Sequence, residues 1–480
     1  MLFNSQLFAV FLTAVFLFYY ILPARFRWVF LLLASYGFYM NLHVAYGLLL
    51  LFSTLLTYCL ALQLEKADGK QAKRRCLLWG ILPLVGLLLV FKLGAPAIDK
   101  INAMIDAGRL TLHPLTLRIL LPAGVSFYFF QSMGYLIDVY KGKVKAEQHL
   151  GHYALFVSFF PQLLAGPIGR ADALLPQLKA ERRFDYDCAT YGLKQMAWGY
   201  FKKLVIADSF AVTVNQVYDN CRSYVGLVFI ITTVMYAIQI YCDFSGYSDI
   251  AIGCARLFGV ELATNFRSPY LSFSIKEFWS RWHISLSTWF RDYVYIPLGG
   301  SRAGRIRHCL NLFITFLVSG FWHGSSLTFL IWGAIHGLLQ IVETFVYPKR
   351  KAGAPPRKKH WWQLSVTFCL VCLAWIFFRA NSVEDALWIL SRLFWDIGRP
   401  LNYLKTAVIC LNLSYPVMAG MAFAAVALLI YDAISLKRDV IGLISKAWAP
   451  VRWLIYVLLL VVIALFSYKG IATEFIYMQF

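Results

Sequence analysis

The stretch from Glu277 to Gly300 reads E-F-W-S-R-W-H-I-S-L-S-T-W-F-R-D-Y-V-Y-I-P-L-G-G, and Ser319 to Gly337 reads S-G-F-W-H-G-S-S-L-T-F-L-I-W-G-A-I-H-G. His283, His323 and His336 lie here inside otherwise membrane-like sequence. His336 falls in the apolar run Leu327 to Tyr347, about the ~20 residues that a bilayer crossing needs. At roughly 1.5 Å per residue, His336 sits about 16 Å from the Tyr347 end, near mid-membrane. An ionisable side chain at that depth is costly, so it faces protein or a water-filled cavity and marks a functional path. A neutral imidazole that merely glues two helices together is the alternative. The company of three histidines with Arg281, Arg291 and Asp292 weights the stretch toward chemistry.

Composition sets the class. Of the 480 residues, 60% are hydrophobic and 14% charged, which excludes an ordinary soluble protein. The mean hydropathy is +0.64. Many separate apolar runs and no long polar region predict a single polytopic, all-α membrane domain over residues 1–480. An excess of 45 Lys+Arg over 24 Asp+Glu is what basic cytoplasmic loops and anionic lipid headgroups select, so nucleic acid is not an expected partner. The ten cysteines include one C-x-x-C, Cys369 and Cys372, inside an apolar run where cysteine behaves as a small hydrophobe, and no His/Cys cluster at metal-ligand spacing, so neither a disulfide framework nor a metal site is expected. The N-terminus lacks a basic leader and a small-residue cleavage site, so its apolar segment is expected to remain as a helix.

Along the chain, apolar runs begin at Gln6, Trp28 and Val44, and the basic loop Glu65 to Arg75 follows. The positive-inside rule makes that loop cytoplasmic and the N-terminus extracytoplasmic. Leu77 to Val90 returns outward, Ala95 to Pro114 reads as an outer loop with a surface helix, and Leu115 to Tyr140 comes back. Pro161, Gly166, Pro167 and Gly169 break the segment Phe160 to Arg170. Irregular backbone at membrane depth survives only inside protein or beside a cavity, so a re-entrant loop is expected there. Lys202 and Lys203 place Tyr191 to Val214 partly along the interface, and Cys242 to Gly253 reads as either a polar channel wall or an interfacial turn. Glu277 to Gly300 is too charged for a lipid-facing span and suits an amphipathic helix in or dipping into the bundle. A basic linker over 348–360 carries six Lys/Arg and is expected to be cytoplasmic. Helices over 361–480 then bring the C-terminus outside. About eleven transmembrane helices result, together with re-entrant and interfacial ones.

Acyl transfer needs a hydroxyl nucleophile, a group to handle its proton, and donors for the oxyanion. His336 suits the base or acid role, and the Trp332 indole, one turn earlier, can orient a neighbour. Gly333 and Gly337 form a G-x-x-x-G face for close helix packing. Arg281 and Arg291 either hold anionic parts of a donor or pair with Glu277 and Asp292. No nucleophile elbow, phosphate loop or dinucleotide fingerprint is present.

The ordered set R-W-H-x-S, W-F-R-D-Y-x-Y-I-P-L-G-G, F-W-H-G and W-G-x-x-H-G resembles the membrane-bound O-acyltransferase family. Within it, the chain is similar to the bacterial branch that contains the alginate O-acetyltransferase membrane subunit. The match is densest over about 122–347; relatives that export D-alanine for teichoic acids share R-W-H-x-S and W-F-R-D-Y, whereas the continuation Y-I-P-L-G-G-S-R (Tyr295 to Arg302) looks more like the acetylating members. The resemblance implies a fold with a transmembrane tunnel and a buried histidine at His336. A second family histidine corresponds to His283, with Trp282, Ser285, Arg291, Asp292, His323 and Trp332 near the donor or tunnel. It further implies acetyl-coenzyme A as a cytoplasmic donor with no tightly bound cofactor, an extracytoplasmic SGNH/GDSL-type partner, and a polysaccharide acceptor at the bacterial inner membrane. D-alanyl transfer by a related mechanism, and a non-enzymatic transporter or flippase, are the alternatives. Internal pseudo-symmetry would favour a transporter, and none is visible. The terminal F-I-Y-M-Q-F (Phe475 to Phe480) resembles the tyrosine motif of a small peptide that accompanies the D-alanine exporters. Tyr477 is therefore either an acyl relay or an interfacial aromatic anchor.

Overall fold

The computed structural model describes residues 1–107, 122–302, 304–346, 359–466 and 475, and every regular element among them is helical. Seven described helices are long and apolar enough to cross a bilayer, and Gln6–Ile21 is a shorter apolar one. The all-α, multi-pass architecture expected from hydropathy is therefore present. The final described helix, Ala449–Phe466, carries no buried residue, as a lipid-facing span should.

Two compact units divide the chain: Met1–Leu193 with Ala251–Ala263, and Lys194–Ile250 with Thr264–Ile476. The first is built on Gln6–Ile21, Ala24–Met40, Val44–Lys66 and Lys70–Asp106, followed by Val125–Tyr140 and Leu150–Ser158. Its Phe160 to Arg170 segment is irregular, as its Pro and Gly content requires. A four-residue helix, Phe160–Leu163, is wholly buried and its chain then leaves the helical path. The preceding helix, Leu150–Ser158, ends before Pro161, which has no N–H for a continuing helix and sits in the first turn of the next one. Gln131 and Gln162 donate to the Phe156 carbonyl, at 2.6 and 3.0 Å, and the Ser35 hydroxyl accepts from the Phe160 N–H at 3.1 Å. Protein groups thus replace the helix as hydrogen-bond partners at this break. Gly124, at a φ of 76°, lets the start of Val125–Tyr140 press against this segment, since a Cβ there would lie 2.6 Å from the Leu163 carbonyl oxygen.

Three expectations are corrected. The outer loop read from Ala95 is helical as far as it is described, because Lys70–Asp106 runs 37 residues through Pro83 and Pro96. Such a helix is about 55 Å long, well beyond the ~30 Å hydrocarbon core. Cys242 to Gly253 is not an interfacial turn, since Leu227–Leu257 is helical throughout. Lys202 and Lys203 do not lie along an interface but are buried. They occupy a π-helical segment, Phe201–Ala207, between Tyr186–Tyr200 and Asp208–Asp219.

In the second unit, Arg305–His323 and Leu327–Val346 form a tight helical hairpin. Glycine makes it possible. A Cβ on Gly320 would strike the Phe329 carbonyl, one on Gly333 the Phe316 carbonyl, and one on Gly337 would crowd Phe313. The G-x-x-x-G face is therefore a packing face, as its spacing predicts.

Candidate active site

The second unit carries all three motif histidines. The charged stretch expected as one amphipathic helix is three pieces: Ile275–Arg281, Ile284–Phe290 and a π-helical turn Arg291–Tyr295. Ser274 caps the first, its hydroxyl accepting from the Glu277 N–H at 3.1 Å. Glu277 then holds the segment together. It accepts from Arg281 at 2.6 Å, from Lys359 at 2.8 Å and from the Phe273 N–H at 2.9 Å. Burial opposes ionisation of the Glu277 carboxyl, but these donors and the two cations hold it below the usual carboxylate range. Arg281 pairs with Glu277. Arg291 pairs likewise with Asp292, at 2.8 Å.

His336, on Leu327–Val346, is fully buried. The Trp279 indole N–H donates to its Nδ1 at 3.2 Å. Trp332 lies between His336 and His323, with ring centroids 5.0 and 4.9 Å away. Trp375 stacks on Trp332 at 5.9 Å, and Phe278 lies parallel to the His336 ring at 6.3 Å. Trp375 donates to the Tyr270 hydroxyl at 3.2 Å, which donates to the Ala237 carbonyl at 2.6 Å. His336 Nε2 and Trp332 Nε1 are both buried and have no hydrogen-bond partner among the described residues.

His283 terminates the first short helix in the left-handed region, at a φ of 42°. Few non-glycine residues sit there, though histidine is enriched among them. Asn265 compensates. Its Oδ1 accepts from the Ser285 N–H at 3.2 Å and hydroxyl at 2.9 Å, and lies 3.0 Å from His283 Nδ1. An oxygen that receives N–H and O–H donors requires Nδ1 of His283 to be the protonated nitrogen. The Ile284 N–H donates to the Asn265 carbonyl at 2.8 Å, and Asn265 Nδ2 donates to the Ser248 hydroxyl at 3.2 Å. Trp282 packs on Phe266 and Trp375, at 5.1 and 5.2 Å. Ser285 thus serves the His283 bend, and Trp282 extends the aromatic wall toward Trp375.

A cavity of about 1090 Å³ opens beside this assembly. Trp279, Phe316 and Leu286 form apolar wall, and the cations Lys276, Arg291, Arg305 and Lys359 outnumber the carboxylates Glu277 and Glu343 around it, with Lys359 paired to Glu277. Trp279 therefore touches both the cavity and His336. Sequence reasoning paired His336 with Trp332 and missed Trp279, because no local spacing connects residues on separate elements. It also missed Asn265 and the buried ion pairs. Lys203, 1% exposed, lies 2.9 Å from Asp208 and 2.6 Å from Asp243, while Lys202 lies 2.5 Å from Asp249. Two lysines in an apolar stretch were the signal. Phe475 is buried against Tyr247 at 4.6 Å, with the Lys203 ammonium 4.4 Å from its ring centroid. Tyr477 lies outside the described residues, as does most of the 348–360 linker.

Residues 147–384 match the family model described as MBOAT, membrane-bound O-acyltransferase family. The chain is 38% identical to the probable alginate O-acetylase AlgI of Pseudomonas syringae, covering 80% of this chain and 74% of that protein. It is 37% identical to the peptidoglycan O-acetyltransferase of Helicobacter pylori, covering 82% and 79%. Similarity to the teichoic acid D-alanyltransferase of Bacillus subtilis is 27% over 54% of this chain and 68% of that one. With its motif histidines gathered around a buried aromatic cage in a multi-pass helical fold, the chain belongs to the membrane-bound O-acyltransferase family.

Proposed function

We propose that this protein passes acetyl groups from cytoplasmic acetyl-coenzyme A across the bacterial inner membrane for O-acetylation of an extracytoplasmic polysaccharide. The observation that carries the proposal is His336, fully buried and hydrogen-bonded to Trp279, an indole that also walls a positively charged cavity. A cavity flanked by Lys276, Arg291, Arg305 and Lys359 suits the phosphates of a nucleotide-linked thioester. His336 is then the catalytic residue of transfer. The stronger identity to the two O-acetylating relatives than to the D-alanyltransferase supports acetyl as the group moved. The polysaccharide and peptidoglycan named for those relatives support a polymer acceptor. A soluble SGNH/GDSL-type partner would complete the final transfer outside.

Residues 1–480 act as one catalytic domain in this scheme, with both termini extracytoplasmic and the basic loops cytoplasmic. Tyr477 is the candidate relay. A phenol needs a base to attack, and its ester gives up the acyl group more readily than an alkyl ester does.

The test is purified protein in detergent with acetyl-labelled coenzyme A. Release of free coenzyme A should be lost in His336→Ala. Turnover undiminished in that variant would remove His336 from the chemistry, and in sealed proteoliposomes passage of intact substrate without thioester cleavage would favour a transporter.

A further inference from the structure

His336 Nε2 and Trp332 Nε1 are buried polar nitrogens without a hydrogen-bond partner among the described residues. They belong to residues four apart on one helix, hence on one face, and their rings lie 5.0 Å apart. Buried donors left unsatisfied are rare in folded proteins and call for an explanation. An indole nitrogen is a donor only, so Trp332 offers a proton. The state of His336 follows from its other nitrogen. Trp279 can only donate, so Nδ1 of His336 must accept, and the neutral imidazole then carries its proton on Nε2. Both unpartnered nitrogens are therefore N–H donors. Their surroundings are the rings of Phe278, Trp375 and Phe378, so a hydrogen bond formed there is strengthened by a low local dielectric.

We infer that His336 Nε2–H and Trp332 Nε1–H form one hydrogen-bonding site for the carbonyl oxygen of the transferred acyl group, and that Trp279 is the positioning residue that keeps His336 a donor. The inference rests on the acyl-transfer reading above and refines it. In attack on a thioester, the acceptor oxygen bonds to the carbonyl carbon, negative charge gathers on the carbonyl oxygen, and the carbon–sulfur bond then breaks. The proton of the acceptor hydroxyl ends on the released thiol. Donors already aimed at the carbonyl oxygen lower this barrier without reorganising. With its proton on Nε2, His336 cannot also remove a proton through that atom. It stabilises the oxyanion instead.

Two measurements test this. Nitrogen NMR of histidine-labelled, ligand-free protein in detergent, with His336 identified by difference from His336→Ala, should show a protonated Nε2 and a bare Nδ1. Trp279→Phe should mix the two tautomers. A protonated Nδ1 in the wild-type protein would overturn the inference whatever the substrate is. In thioester turnover, Trp332→Phe keeps the ring and removes the donor. It should lower kcat about 10²-fold with KM unchanged, as loss of one oxyanion donor does. If His336→Ala abolishes turnover while Trp332→Phe retains wild-type kcat, the shared donor site is wrong and the catalytic role of His336 stands. If His336→Ala retains turnover, the catalytic reading itself fails.

Discussion

Replacing Lys203 by methionine removes one buried positive charge and leaves two buried negative ones. Asp208 and Asp243 lie 2.9 and 2.6 Å from the ammonium, with the three side chains 6%, 3% and 1% exposed, respectively, so water reaches none of them freely. Breaking a buried pair typically costs about 3–5 kcal/mol, because the partner is left uncompensated. Lys203→Met should fall at or above the upper end, since it strands two carboxylates rather than one. Asp243→Asn is the milder change. Asp208 still neutralises Lys203, and the lost charge-assisted bond is worth about 1.5–3 kcal/mol. A triple variant carrying Lys203→Met, Asp208→Asn and Asp243→Asn removes all three charges and should regain most of the loss. Thermal unfolding of detergent-solubilised protein, followed by fluorescence-detected size exclusion, should rank the variants in that order. A Lys203→Met protein as stable as Asp243→Asn would refute the placement of a compensated buried cation.

Further predictions concern the site, its acid limit and the tail. Gly333→Leu should destabilise the protein by more than the about 1–3 kcal/mol of ordinary overpacking, because the collision is with the Phe316 backbone, whereas Gly420→Leu, with open space around it, should be tolerated in the same thermal assay. Glu277 has a depressed carboxyl pKa in the folded state, so its stabilisation is complete above the unfolded value of about 4.3 and is lost as pH falls through the lower folded value. Glu277→Gln should therefore be less stable than wild type at neutral pH, with the difference closing in acid-unfolding curves. Tyr477→Phe should insert normally yet lose transfer to polymer while retaining thioester cleavage; full polymer acetylation would leave Tyr477 an anchor.

Much of the architecture was legible because hydropathy acts locally. Each long apolar helix reports its own transfer into lipid, and the Pro/Gly-rich segment at Phe160 to Arg170 announces its own irregularity. The site was legible in part. His336, Trp332 and His323 lie on adjoining helices whose motifs are contiguous in sequence, and the structure brings all three together. Trp279 and Asn265 were not legible, because each acts on a residue held by another element, and no spacing rule links them. Lys202 and Lys203 show the same limit in reverse. A buried lysine is tolerable only with its carboxylates, and Asp243 and Asp249 lie 40 and 47 residues away, on a helix whose polar stretch reads locally as either a channel wall or a turn.

The π-helical segment Phe201–Ala207 has a consequence for how the gene can change. A π turn accommodates one residue more than an α turn, and such bulges are inserted residues that a helix absorbs. Deleting a single codon within 201–207 would restore ordinary α geometry, and each residue of an α-helix turns the chain by about 100°. Everything beyond the deletion would rotate by that amount, turning Asp208 away from Lys203, or the paired lysines away from Asp243 and Asp249. Substitutions along this segment can be graded, but its length is fixed. Lineages of this protein should vary in residue identity here while keeping the number of residues unchanged.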